Sequence, residues 1–299
     1  MSNESSSTLG IELRGADGAV ASASRSELGS STVGTALWQP PLAGEKPADF
    51  DVFVGDLHRA IADIGRDHAR AALASSLSVE DMVITHAIAA TGAPIDVFMI
   101  DTGRLHAETL QLRELVRTRL GIDMLVMQPR SEAVVQFVAR RGLNGFYEGV
   151  AQRLECCHLR KVEPLERALA GRAAWLTGQR RAHGPERAQL AERELDAARE
   201  IPKFNPLATW SDAAVWYYAR SEDLPVNPLY ARGYPSIGCE PCTRAVRAGE
   251  DARAGRWWWE ASASKECGLH VFANPATATV DRSVATPVNE SAHETTHRQ

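Results

Sequence analysis

Five cysteines are the residues of this chain that could do chemistry most directly, and their spacing separates them into three groups. Cys156 and Cys157 are adjacent, Cys239 and Cys242 form a Cys-x-x-Cys turn, and Cys267 stands alone near the end of the sequence. An odd number of cysteines with two tight pairs is not typical of a disulfide framework in a large protein. Metal binding by the two pairs, together with one free thiol, is the better interpretation.

The two pairs do not by themselves identify what they would bind. A Cys-x-x-Cys turn brings two sulfurs to one metal ion or cluster, but the same spacing occurs in redox-active dithiols. Adjacent cysteines are awkward ligands for a single ion, since neighbouring side chains diverge along a helix or a strand. Spacing alone therefore leaves a zinc ion, an iron-sulfur cluster and coincidence open.

The single thiol of Cys267 lies in a segment that suits a nucleophile. It occurs in the string Lys-Glu-Cys-Gly-Leu-His at 265–270, after Arg253, Arg256 and the tryptophans at 257–259. Cations near a thiol stabilise the thiolate, which is the nucleophilic form, and a following glycine permits movement. The alternative is a cysteine that serves only as a small apolar residue.

Cationic side chains recur beside the segments that hold the cysteines. Lys161 follows the adjacent pair, and Arg180, Arg181 and Arg187 follow an apolar run that ends at Thr177. Most charged runs are simply solvated surfaces. Here the planar guanidinium groups would match phosphate or sulfate oxygens, which predicts a local anion site.

A serine-rich loop, Ser75 to Asp81, offers hydroxyl groups and backbone amides at the start of a predicted helix. Helix N-termini attract phosphate because their first amides lack partners and the helix dipole is positive there. The simpler alternative is a turn in which Ser78 caps the helix. The loop lacks the lysine and the glycines of a Walker sequence, which argues against a kinase or ATPase of that class.

Strand-like apolar runs alternate with helical patterns over residues 48–250, as expected of βαβ units around a parallel sheet. The predicted strands are 70–74, 95–100, 123–127 and 174–177, and polar residues follow them. In open parallel sheets such strand ends form the ligand-binding crevice. The sequence therefore predicts an α/β fold, with a parallel twisted sheet flanked by helices and a ligand site at its carboxyl edge.

The rest of the chain limits the classes of function. Residues 1–47 are rich in Ser, Gly and Ala, and residues 274–299 in Thr, Ser, His and charge, so both are predicted to be disordered. The formal net charge of −5 gives no global field of the kind that attracts nucleic acid or membrane surfaces. No apolar run approaches the roughly 20 residues of a membrane span, and the N-terminus has no apolar signal core. A cytoplasmic location without membrane or nucleic-acid partners is expected.

Together these segments resemble the family of adenylylsulfate and phosphoadenylylsulfate reductases over roughly residues 50–270. Several of the matching strings are long and specific, which makes chance agreement remote. The family often has glycine where this chain has Ser78. The matching strings are Ser75-Ser-Leu-Ser-Val-Glu-Asp81, Asp101-Thr-Gly103, Glu155-Cys-Cys-His-Leu-Arg-Lys-Val-Glu-Pro-Leu165, Ala174-Trp-Leu-Thr-Gly-Gln-Arg-Arg181, Lys203-Phe-Asn-Pro-Leu207, Gly238-Cys-Glu-Pro-Cys-Thr-Arg244, Gly255-Arg-Trp-Trp-Trp-Glu260 and Lys265-Glu-Cys-Gly-Leu-His270.

The resemblance implies a fold, a cofactor and a reaction. The fold is of the adenine nucleotide alpha-hydrolase type with a modified phosphate loop, and the branch with both cysteine pairs usually prefers adenylylsulfate. A 4Fe-4S cluster would be held by the thiolates matching Cys156, Cys157, Cys239 and Cys242. The thiolate matching Cys267 would attack the sulfate sulfur, so that AMP leaves and an S-sulfocysteine forms. Thioredoxin or glutaredoxin would then release sulfite.

The same resemblance implies the surroundings of this reaction. An anionic thiolate approaches an anionic substrate only where fixed cations offset the repulsion. A segment over residues 251–273 that carries the nucleophile must close over the substrate and open for the reductant, so it is expected to be mobile. The residues implied in substrate binding are Ser75, Ser76, Asp81, Lys161, Thr177, Gly178, Arg187, Arg253 and Arg256.

Other functions remain open at the level of sequence. One is a phosphoadenylylsulfate reductase or an enzyme of dual specificity. A tRNA-thiolating ATP pyrophosphatase of the same fold would need a polynucleotide, and both the lack of a basic face and the Cys267 tail argue against it. A zinc-stabilised binding module would hold a structural ion in the four paired cysteines and leave Cys267 inert. The oligomeric state, including a homo-oligomer, is also left open.

Overall fold

The computed structural model describes residues 36–42 and 44–260, which contain a six-stranded sheet. The strands are β1 (Ala72–Ser75), β2 (Asp96–Ile100), β3 (Leu125–Met127), β4 (Trp175–Leu176), β5 (Arg193–Asp196) and β6 (Ile201–Phe204). Their order in the sheet is β3-β2-β1-β4-β6-β5. All neighbours are parallel except β5 and β6, which are antiparallel.

Seven α-helices and several short helical turns connect the strands. The α-helices are α1 (Phe50–Asp67), α2 (Val79–Thr91), α3 (Ala107–Leu120), α4 (Ser131–Arg141), α5 (Val150–Cys157), α6 (Glu163–Leu169) and α7 (Asp212–Ser221). A π-helical turn, His158–Val162, joins α5 to α6. The 3₁₀ turns are Gly145–Tyr147, Arg181–His183, Pro185–Arg187, Tyr230–Arg232 and Glu240–Cys242. None of these described helices is both long and apolar enough to cross a bilayer.

The predicted α/β fold is confirmed, and the four predicted strands appear as β1 to β4 with small shifts at their ends. The sheet differs from the prediction at one edge, where β5 and β6 form an antiparallel pair. These two strands escaped sequence reasoning because Arg193–Asp196 is mostly charged and β6 contains Pro202. Charged residues are typical of a strand at a sheet edge, which is the position of β5, and Pro202 interrupts the apolar run of β6 beside it.

The core lies on both faces of the central strands. On α1, Leu57, Ile61 and Ile64 are buried at helical spacing and pack with residues of α2 and α7 in one apolar cluster. A smaller cluster contains Phe98, Trp175 and residues of α6. Because β1, β2 and β4 contribute to both clusters, their sequences are nearly continuous apolar runs.

The strand order places a crevice beside β1. Its neighbours are β2 on one side and β4 on the other, so the connections from the two halves of the sheet diverge at this strand. Such a switch point is where open α/β sheets bind ligands. Part of the segment predicted as an N-terminal extension also lies in this region. Trp38 donates its backbone N–H to the Val246 carbonyl at 2.9 Å, and Leu37 pairs with Arg247 in an antiparallel bridge.

Candidate active site

A cavity of about 430 Å³ lies at the carboxyl ends of β1, β2 and β4. Apolar residues of the strands, including Phe98, Ile100 and Trp175, line part of it. The structure also brings to its wall all nine residues that the family resemblance implies in substrate binding, although their individual contacts with substrate stay predictions. These nine residues are Ser75, Ser76, Asp81, Lys161, Thr177, Gly178, Arg187, Arg253 and Arg256.

The loop between β1 and α2 is held by its own side chains. Asp81 accepts hydrogen bonds from the backbone N–H and the hydroxyl of Ser76, each at 2.7 Å. Ser78 caps α2 by accepting from the Asp81 N–H at 3.3 Å, in an extended conformation that needs no glycine. Leu77 has a φ of +60°, which is uncommon for a residue with a side chain. The α2 N-terminus, which favours phosphate, thus lies on the cavity wall in a preformed loop.

Gly178 allows the chain after β4 to approach the start of α2. A Cβ atom at this position would lie 2.5 Å from Asp81 Oδ1 and 2.8 Å from Glu80 Cβ. The preceding residue, Thr177, donates its hydroxyl to Asn205 Oδ1 at 2.7 Å and so connects this loop to the chain after β6. The close contact between the chain after β4 and the start of α2 therefore depends on the absence of a side chain at Gly178.

A buried ionic network beside the phosphate loop was missed by sequence reasoning. Glu80 Oε1 accepts from Arg180 Nε at 3.1 Å and from Arg180 Nη2 at 2.8 Å, and it lies 3.0 Å from His183 Nε2. Burial opposes ionisation of Glu80, but the hydrogen bond from His183 and the charge of Arg180 outweigh burial and lower the pKa of this carboxyl to about 2. The sequence signal was an acidic residue inside a serine-rich loop. Its pairing with an arginine 100 positions away could not be read from spacing.

Besides Arg180, which pairs with Glu80, four further cations reach the cavity from separate parts of the chain. Lys161 lies on the π-helical turn, Arg187 lies on the turn that follows Gly184, and Arg253 and Arg256 lie in the last described segment. Lys161, Arg187 and Arg256 are buried, and Arg253 is half-buried. Cations in a wall of low dielectric attract an anion more strongly than exposed cations do. The cavity is therefore suited to a small, highly charged anion.

Arg256 is fixed in place by its neighbours. Its guanidinium carbon lies 4.8 Å from the ring centroid of Trp257, and Nη1 donates to Ser236 Oγ at 3.3 Å. A Cβ atom at Gly238 would lie 2.5 Å from Arg256 Nη2. The glycine just before Cys239 thus makes room for this guanidinium, which connects the Cys-x-x-Cys turn to the cavity at the strand ends.

The four paired cysteines come together in a second, smaller cavity of about 20 Å³, although the two pairs lie far apart in sequence. Cys156 and Cys157 end α5, immediately before the π-helical turn. Cys239 and Cys242 flank a 3₁₀ turn. Phe146, Trp257, Lys161, Arg153 and Arg160 are among the other residues that line this cavity. The adjacent cysteines do therefore face one site, despite the expected divergence of neighbouring side chains.

The two cysteines of the Cys-x-x-Cys turn differ in their ionisation. Burial disfavours the thiolate of Cys239, but Lys161, the Thr102 hydroxyl at 3.2 Å and two arginines outweigh burial and lower the pKa of this thiol. Burial and the Cys239 charge raise the pKa of Cys242 to about 12. Within residues 36–42 and 44–260, no group of three or more His, Cys, Asp or Glu side chains is arranged to hold a single metal ion.

The two cavities share part of their walls, since Lys161 and Trp257 line both of them. Trp257 donates its backbone N–H to the Cys242 carbonyl at 3.1 Å. Its segment ends in a buried ion pair, in which Arg153 Nη2 lies 2.9 Å from Glu260 Oε2. Cys267, the predicted nucleophile, lies outside the described residues, as do most of the predicted disordered ends.

Comparison with known proteins finds similar chains over most of the described length. The phosphoadenosine phosphosulfate reductase domain family matches residues 70–245. Adenosine 5'-phosphosulfate reductase of Burkholderia cepacia is 58% identical over 215 residues, which cover 72% of this chain and 86% of the relative. The protein of the same name from Allochromatium vinosum is 50% identical over 210 residues, which cover 70% and 82% respectively. The structure of phosphoadenylyl-sulfate reductase from Candida auris matches with a TM-score of 0.56 and 24% identity, covers 68% of this chain and 99% of that chain, and supports the fold alone.

Proposed function

We propose that this chain, which belongs to the phosphoadenosine phosphosulfate reductase domain family, reduces adenylylsulfate to sulfite and AMP. Family membership makes the chain an oxidoreductase that acts on a sulfur group. The choice of adenylylsulfate rests on the relatives with 58% and 50% identity, which are named for that substrate. The observation that carries the proposal is the cationic cavity at the carboxyl edge of the sheet, beside a site of four thiols.

The substrate would lie across the switch point of the sheet. Its phosphate group would meet the α2 N-terminus and the serine loop, where Asp81 holds Ser76 and Ser78 holds Asp81. The adenosine would extend along the apolar strand ends, next to Thr177 and Gly178. The sulfate group would then face the cations, because those side chains provide the positive part of the cavity wall.

The chemical step would be attack by the Cys267 thiolate on the sulfate sulfur. A sulfur–sulfur bond forms, the bond between that sulfur and the phosphate oxygen breaks, and AMP leaves with the electron pair of the broken bond. The product on the enzyme is an S-sulfocysteine. A dithiol protein such as thioredoxin or glutaredoxin then attacks the Cys267 sulfur and releases sulfite, and its second thiol closes a disulfide that restores the free cysteine. The dithiol supplies both electrons of the reduction.

The cations make this encounter between two anions possible. A thiolate and a sulfate group repel each other, and the repulsion is stronger beside a protein wall of low dielectric than in bulk water. Lys161, Arg187, Arg253 and Arg256 would offset that repulsion and stabilise the charge that moves onto the leaving phosphate. Lys161, Arg187 and Arg256 are buried, and the contacts of Arg187 and Arg256 hold their guanidinium groups, so little reorganisation is required of them when the substrate binds.

The donor set of the smaller cavity fits an iron-sulfur cluster better than a single ion. A 4Fe-4S cluster takes four thiolates, one for each iron, and the four thiols that line this cavity supply that number. Cys156, Cys157, Cys239 and Cys242 would hold the cluster, with Lys161 beside it. When bound it would supply a fixed local charge that tunes the adjacent substrate cavity. It need not pass electrons, since the dithiol already supplies them.

The proposal is tested on anaerobically purified protein with adenylylsulfate and reduced thioredoxin. Cys267→Ser is expected to abolish sulfite formation while leaving the visible absorbance of the cluster intact. Cys242→Ser is the matched control at another thiol, and it should lose cluster absorbance. Mass spectrometry of the native chain after exposure to substrate alone should show a sulfonate on Cys267. Turnover by Cys267→Ser, or the absence of that adduct, would disprove the assigned nucleophile.

The same preparation distinguishes the alternatives. Rates with adenylylsulfate and with its 3'-phosphorylated analogue measure the preference for the nucleotide. Release of pyrophosphate from ATP would favour the tRNA-thiolating class instead. A colourless protein that contains zinc in place of iron would favour the binding module.

A further inference from the structure

His183 lies on the wall of the substrate cavity between a buried acid and one of the cavity cations. Its Nε2 is 3.0 Å from Glu80 Oε1. Its Nδ1 accepts from the backbone N–H of Arg180 at 3.3 Å and from Arg187 Nη1 at 3.3 Å. Glu80, His183 and Arg187 all line the cavity. The imidazole therefore joins the start of α2 to the turn that carries Arg187.

The partners of the ring determine which nitrogen carries the proton. Both groups next to Nδ1, a backbone amide and a guanidinium, are donors only, so Nδ1 must act as an acceptor. The Glu80 carboxylate can only accept, since its pKa is about 2, and Nε2 must therefore donate to it. Each ring nitrogen thus has one fixed role. A proton on Nδ1 would face two donors and would remove the acceptor that Arg187 uses.

The side chain of Glu80 is held in place by burial and by other hydrogen bonds. Its side chain is 9% exposed and also accepts two hydrogen bonds from Arg180, whose side chain is 3% exposed. Arg187, by contrast, follows Gly184, a residue with a φ of +145° that separates two short turns. The imidazole therefore connects the buried Glu80–Arg180 pair, which is fixed, to Arg187, whose long side chain lies on an irregular segment.

We propose that His183 is a positioning residue that holds the Arg187 guanidinium toward the substrate before the substrate arrives. This inference rests on the proposed function, in which Arg187 binds the anionic part of adenylylsulfate. An arginine that is already oriented loses less freedom when it binds and needs no rearrangement in the transition state. The acceptor at Nδ1 is the atom responsible.

Two substitutions separate the roles of the two ring nitrogens. In His183→Asn the amide oxygen takes the place of Nδ1, so an acceptor for Arg187 is retained and the donor to Glu80 is lost. In His183→Gln the amide nitrogen takes the place of Nε2, so the donor to Glu80 is retained and the acceptor for Arg187 is lost. The KM for adenylylsulfate is expected to be roughly fivefold to tenfold higher in His183→Gln than in His183→Asn, the loss typical of one ordinary hydrogen bond. His68→Gln, outside the cavity, controls for substitution of a histidine.

A double-mutant cycle with Arg187→Ala identifies the partner. Without the arginine, the KM values of the Asn and Gln variants should agree within about twofold, because the acceptor no longer has a guanidinium to hold. Isothermal titration with AMP and thermal unfolding are measured on the same proteins. A difference between the two variants that persists without Arg187, or that follows thermal stability alone, would overturn the proposal.

Failure of the proposed function would look different. In that case the native chain itself would not turn over adenylylsulfate and Arg187→Ala would change nothing. A native chain that turns over, weakened by Arg187→Ala but with equal KM values in the two His183 variants, would refute the positioning role alone.

Discussion

Glu260→Gln is expected to destabilise the protein by about 3–5 kcal/mol, because it leaves a buried guanidinium without its charged partner. Arg153 Nε and Nη2 donate to the two carboxylate oxygens of Glu260 at 2.9 Å each. The side chains are 2% and 3% exposed, so water cannot replace the lost oxygen. For a domain of about 150–250 residues, 1 kcal/mol shifts Tm by about 2–4 °C, so the midpoint should fall by roughly 6–20 °C.

Two further variants give this value its meaning. Asp56→Asn breaks the Arg59–Asp56 pair, whose atoms are 2.8 Å apart and whose side chains are 70% and 56% exposed, and it should cost less than about 1 kcal/mol. The double variant Arg153→Met with Glu260→Leu removes both charges and should recover most of the lost stability. Thermal and urea unfolding are followed by circular dichroism. If Glu260→Gln proves as mild as Asp56→Asn, the pair is not buried in solution and the reasoning fails.

Two other predictions concern the phosphate loop. Gly178→Ala places a Cβ atom 2.5 Å from Asp81 Oδ1, so it should lower the free energy of unfolding by about 1–3 kcal/mol. It should also weaken AMP binding, measured by titration calorimetry. Gly55→Ala, where a Cβ meets nothing within 4 Å, should do neither. The carboxyl of Glu80 has a folded pKa of about 2 against an ordinary value of 4.5, so its contribution is complete above about pH 4.5 and is lost as the pH falls toward 2. The difference in unfolding free energy between the native chain and Glu80→Gln should therefore shrink on acidification, and a constant difference would contradict the assignment.

The fold was predictable because its signals are local. Buried parallel strands are short apolar runs, and β1 to β4 were recognised on that basis. The capping of α2 by Ser78 also follows from residue type and position, since this serine accepts from the backbone amide three residues later. The family resemblance is likewise confirmed by the comparisons, because its motifs are contiguous strings.

The electrostatics of the site could not be predicted in the same way. Arg153 and Glu260 are 107 positions apart, and neither is distinguished by its neighbours in sequence. Glu80 reads as an ordinary acidic residue near a helix start, yet its partners come from the chain after β4. Spacing alone left the joint site of the four paired cysteines open; the family resemblance implied it, and the structure brings Cys156 and Cys157 to one cavity with Cys239 and Cys242. Such pairings depend on tertiary contacts that spacing does not encode.

The wall that Lys161 and Trp257 form between the two cavities has a consequence for how the protein responds to oxygen. One surface of this wall faces the smaller cavity with the four cysteines, and the other faces the larger cavity at the strand ends. If the smaller cavity holds the proposed cluster, loss of that cluster would remove support from the wall that the larger cavity shares with it. On the proposed function, oxidative loss of the cluster would therefore weaken nucleotide binding even while the Cys267 thiol is still intact.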